Sequence, residues 1–207
     1  MRQLTLIIAS LLISVSAMVQ AQGGIPENQS VIWIGLAHDS ETEATIASEL
    51  RSLIREHDVE RWILTRKILV DETQIPHSHP ILTVHTRSIG DGLGLLATFV
   101  HEQLHWLEAG PWAADFRAAM AEFEALFPEV PSPDEGGARD RTSTYRHLLV
   151  CDMEYQAVSA MFGEAEASAL LARYAHYEWI YDKVLNDRRI REIALRHGFD
   201  VSEGIPR

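Results

Sequence analysis

Cysteine is almost missing from this chain. Cys151 stands alone among 207 residues, so no internal disulfide can form even in an oxidising compartment. The fold must be held by its core, and Cys151 itself reads as a small buried residue. Basic charge is also scarce: 18 Lys and Arg stand against 30 Asp and Glu, a formal net charge of −12. Such a surface repels nucleic-acid phosphates and anionic membrane headgroups, so no nucleic acid is expected as a partner. After residue 19 no apolar run approaches the ~20 residues of a membrane-spanning helix. Internal repeats and low-complexity segments are lacking as well.

The one long apolar run opens the chain. Met1-Arg2-Gln3 is followed by Leu4 to Val19 and then Val19-Gln20-Ala21 before Gln22. A short basic start, an apolar stretch and small residues at a cleavage position predict a secretory signal peptide over residues 1–21 and an exported protein, periplasmic or secreted. No Cys follows the run, which argues against a lipoprotein anchor. Residues 22–207 are the size of one ordinary domain.

Along that domain, Val31 to Leu36 reads as a strand and Glu41 to His57 as a helix capped by Ser40. Arg61 to Val70 and Pro80 to Arg87 read as two further strands, the latter alternating through Ile81-Leu82-Thr83-Val84-His85-Thr86. From Asp91 onward the pattern is helical: 91–109, 112–127, 141–161, 164–175, 177–186 and 188–197. A Pro/Gly-rich polar loop spans 128–137. Strands with one helix, followed by a helical half, predict an α+β fold with a small mixed sheet.

His101-Glu102-Gln103-Leu104-His105 lies inside the first helix of that half. Two histidines four apart on a helix sit one turn above each other and can converge on one metal, and Glu102 beside them can act as base toward a metal-activated water. Apolar residues at 93, 96, 100, 104 and 107 keep the helical period through the motif. Asp91 is a fitting N-cap, and Gly110-Pro111 a stop.

With Thr98, Phe99, Gln103, Leu104, Trp106 and Leu107 around it, this segment resembles the active helix of the zincin metallopeptidases. The resemblance covers about ten residues closely. It implies a catalytic Zn2+, a peptide or protein substrate, and a small sheet whose edge strand, here 80–87, would align an extended peptide by strand addition. Glu108 and Pro111 stand where the metzincin branch needs Gly and His, so the resemblance points to a gluzincin-like site with a carboxylate third ligand from a later helix.

Glu122, Glu124, Asp152 and Glu154 are the candidates. On the helix from Arg141 to Met161, the stripe of Val150, Met153, Ala157, Val158 and Met161 also carries Glu154 and His147, whereas Asp152 projects to the other side. A carboxylate in a core-facing stripe is costly unless it is paired or binds a metal, which favours Glu154. Glu124, 19 positions after His105, is the rival. The residue four after Glu154 is Val158, where the commonest gluzincin pattern has Asp.

The expected site is therefore His101, His105 and Glu154 as metal ligands, Glu102 as base, and His147 as the donor to a developing oxyanion, with Tyr177 and Tyr181 as alternatives. His77 and His79, between Pro76 and Pro80, form a weaker second metal candidate, and His85 points in a direction the sequence leaves open. The expected activity is that of an exported zinc peptidase. The alternative is a non-catalytic zinc-binding protein of the same fold.

Overall fold

The computed structural model describes residues 31–206. The expected leader, residues 1–21, and the start of the mature chain lie outside the described residues. Val31 onward forms one compact unit.

Three short strands, β1 (Trp33–Leu36), β2 (Lys67–Val70) and β3 (Leu82–Val84), make a sheet of order β1-β2-β3. Both pairings are parallel, so the expected mixed sheet is corrected to a parallel one. A single antiparallel bridge, His77 to Thr83, lies outside the named strands. Between β1 and β2 runs α1 (Glu41–Glu56), started by Ser40, whose hydroxyl accepts from the N–H of Glu43.

The predicted strand from 61 is shorter than its apolar pattern suggested. Val59–Trp62 instead wind into a 3-10 turn. The next peptides are bonded by a side chain: Gln103 accepts from the N–H groups of Leu64 and Thr65 at 2.9 and 2.8 Å and donates to the Thr65 carbonyl at 2.9 Å. Gln103 is one of the variable positions of the His-Glu motif, and its amide acts here as a missing strand neighbour. It ties the motif helix to the run into β2.

The helical half comprises α2 (Gly92–Leu104), α3 (Ala113–Leu126), α4 (Arg141–Phe162), α5 (Glu164–Leu171), α6 (Glu178–Asn186) and α7 (Arg188–Arg196). Asp91 and Asp140 cap α2 and α4 by accepting from Gly94 and Ser143. At 22 residues α4 is the longest described helix, and α2, α3, α5, α6 and α7 all pack against it. Trp62, Phe99, Phe116, Phe123 and Phe199 fill the core with no exposed surface to speak of.

Because α4 is surrounded, a single apolar stripe does not describe it. Asp152, projected away from that stripe, is buried too. It meets Arg191 of α7 at 2.9 Å and Gln156 at 2.8 Å. Cys151 is buried, as expected of a lone cysteine.

Candidate metal centre

Two crossing helices build the site. His101 lies in the last turn of α2. His105 caps that helix and opens a 3-10 turn, His105–Glu108. The tighter winding brings Glu108 back under His105. From α4, facing α2, come His147 and, two turns later, Glu154.

The three imidazoles form a nearly equilateral triangle. Ring centres are 5.0 Å apart for His101 and His105, 5.0 Å for His105 and His147, and 5.6 Å for His101 and His147. Three histidine nitrogens bound tetrahedrally to zinc at ~2.0–2.1 Å set their rings about 5 Å apart, so the triangle fits one ion.

Each ring is held by its Nδ1 to an acceptor behind it. Nδ1 of His101 lies 2.8 Å from Oε2 of Glu154, Nδ1 of His105 lies 2.9 Å from Oε1 of Glu108, and Nδ1 of His147 lies 2.7 Å from the Ser143 carbonyl. A ring that donates through Nδ1 carries its lone pair on Nε2, so all three present the same atom for ligation.

Those acceptors are themselves anchored. Tyr181 donates to Oε2 of Glu154 at 3.1 Å. The other oxygen of Glu108 accepts from Nε of Arg146 at 2.8 Å. Arg146 precedes His147, so Glu108 ties the His105 ring to the helix that carries His147.

Burial and crowding set the charge states. His101 is raised well above the ordinary imidazole value: its burial opposes the charge, but the Glu154 carboxylate outweighs it. Burial and the neighbouring His101 charge hold His105 well below that value, and burial with the same neighbours pushes His147 down to about 2. Neutral imidazole is the form that ligates, so His105 and His147 are ready for a metal, and binding at His101 would displace its Nε2 proton while Nδ1 stays on Glu154.

Glu102 is buried beside this triangle and has no hydrogen-bond partner among the described residues. Burial raises its carboxyl pKa, against the lowering effect of His101 and His77. The Tyr177 ring lies tilted against His147, with ring centres 4.5 Å apart and planes 43° apart, and its backbone is left-handed, with φ of 58°. A non-glycine residue rarely adopts that region, and such conformations concentrate at functional sites.

The sequence expectations fare differently at this level. His101, Glu102, His105, His147 and Glu154 all come together. Within them, His101, His105 and His147 have ligand atoms mutually within 4.8 Å, whereas Glu154 forms such a group with His101 and Cys151 instead of with both motif histidines.

Glu124 is exposed and pairs with Arg141, and Glu122 pairs with Arg196 and His197. His79 stacks on Trp106 at 4.2 Å, His77 donates from Nδ1 to the Ile75 carbonyl, and Nδ1 of His85 accepts from the N–H of Arg87. The support given by Glu108 was missed by sequence reasoning. Its position three residues after His105 was the available signal.

A further group, His38, Glu43 and Asp71, gathers at the carboxyl ends of β1 and β2. Its carboxylates already accept from the N–H groups of His38, Glu72, Thr73 and Gln74.

No protein family, curated protein or solved structure matches the chain. The functional reading therefore rests on this geometry.

Proposed function

We propose that this chain is an exported zinc-dependent peptidase of zincin type, with His101, His105 and His147 as its ligands and Glu154 as the carboxylate that orients His101. The observation that carries this reading is the imidazole triangle with every Nδ1 turned back onto an acceptor. Glu154 is occupied by His101 and Tyr181, which suits a support better than a ligand. The exported character rests on the leader pattern at residues 1–21.

A zinc ion held by the three rings would supply an acidified water and a Lewis acid toward a carbonyl oxygen. The rest of the chemistry belongs to the chain. Peptide hydrolysis adds hydroxide to the carbonyl carbon, breaks the C–N bond and gives the nitrogen a proton. Glu102 takes the proton from water and delivers it to the leaving amine. Burial suits it to both roles by keeping its pKa above that of an exposed carboxylate.

With His147 assigned to the metal, the donor to the developing oxyanion becomes Tyr177, the hydroxyl-bearing ring that lies against His147. The deciding experiment pairs zinc content with turnover. Glu102→Gln should keep zinc at the wild-type stoichiometry and lose about 10²–10⁴-fold in kcat on short peptides. Full activity in that variant contradicts the mechanism.

A further inference from the structure

Strand addition is how extended peptides are commonly held beside a sheet, and β3 is the strand against which the motif helix packs. In a parallel three-residue strand, alternate residues face alternate sides. Leu82 and Val84 pair with β2, and the Val84 carbonyl accepts from Asp71 at 3.0 Å. Only Thr83 turns its peptide groups outward.

Both of those groups are taken. His77 donates its N–H to the Thr83 carbonyl at 3.1 Å and accepts from the Thr83 N–H at 2.8 Å. The middle of the edge expected to receive substrate is therefore already bridged by the chain's own His77.

That segment makes a poor replacement edge. With His77 facing Thr83, its neighbours Pro76 and Ser78 face outward, and Pro76 has no N–H to give; Pro80 ends the segment with the same lack. The segment is also pinned at its far end, where His79 stacks on Trp106, the residue after His105. The opposite edge of the sheet, β1, lies beyond β2 with α1 packed against it.

We propose that the site accepts short peptides and chain ends, held by side chains around the scissile bond, and not the interior of an extended polypeptide. This rests on the peptidase reading above. Without a main-chain ladder, substrate residues far from the scissile bond add no binding, so length brings no gain in kcat/KM.

The test uses the full exported chain with zinc and one alanine-rich sequence made as di-, tri- and hexapeptide and as a peptide of about twelve residues, the longest also blocked at both ends. The expected result is a kcat/KM that does not rise with peptide length, and internal cleavage of the blocked long peptide at least about tenfold slower. Zinc-loaded Glu102→Gln should likewise bind the short peptides no more weakly than the long one in calorimetry.

Efficient internal cleavage that improves with length overturns this proposal and leaves the peptidase reading standing. Hydrolysis of none of the peptides by a zinc-loaded protein overturns both.

Discussion

Oε2 of Glu154 stands 2.8 Å from Nδ1 of His101, on the side of the ring away from its second nitrogen. That one distance separates two roles that a helix projection merges. A carboxylate bonded to Nδ1 orients the ring and raises its basicity, and metal-binding histidines commonly carry such a partner. The same relation recurs between Glu108 and His105 and, with a backbone carbonyl, between Ser143 and His147.

Glu108 supports His105 and, through Arg146, the start of the segment carrying His147. Glu108→Ala should weaken zinc affinity about 10–100-fold while one ion per chain still binds at saturation. A competition titration against a chromophoric chelator reads this directly. Unchanged affinity would remove Glu108 from the site's support.

Tyr177 should act on the chemical step alone. Tyr177→Phe keeps the ring on His147 and removes the hydroxyl, so kcat should fall about 10²–10³-fold with zinc content and KM little changed. If kcat holds and KM alone rises, Tyr177 is a substrate-binding wall and the oxyanion donor is another group.

Stability should carry an alkaline limb set by His38, which is no part of the histidine triangle. Nδ1 of His38 lies 2.8 Å from Glu43 and 3.8 Å from Asp71, and the Glu43 hydrogen bond raises the His38 pKa above 6.5, with Asp71 and Glu72 adding to it. A raised histidine pKa stabilises the fold fully below the unfolded value and loses that contribution as pH rises through the folded one.

Glu43 and Asp71 behave oppositely. Burial pushes both up, but the hydrogen bonds they accept pull them below the ordinary carboxylate value, so their contribution is lost on acidification. In urea unfolding across pH, His38→Gln should flatten the decline above pH ~6.5 and leave an acid limb. Parallel curves for variant and wild type would show that His38 contributes nothing.

Much of this was legible in the sequence because it is local. Ser40 and Asp91 begin their helices as their types and places imply, and Gly110 ends the motif segment with a positive φ. The stripe on α4 did carry both His147 and Glu154 toward the motif helix. A projection gives the face of a helix, though, and not which of two side chains reaches the centre and which stops behind a ring.

Other misses have the same origin in tertiary context. Asp152 is buried because α7 covers the face that the stripe left out. The strand before Lys67 is interrupted because Gln103, distant in sequence, bonds the peptides of Leu64 and Thr65. The bridged edge of β3 depends on His77 folding back onto Thr83, a pairing that the alternation of 81–86 does not encode.

The most direct test of the central claim is zinc stoichiometry and affinity in two variants, His147→Ala and Glu154→Gln, measured on protein purified without chelator. The account predicts that His147→Ala loses tight zinc binding, while Glu154→Gln still binds one ion per chain with affinity weakened about 10–100-fold. Tight zinc in His147→Ala together with none in Glu154→Gln would contradict it and return Glu154 to the metal.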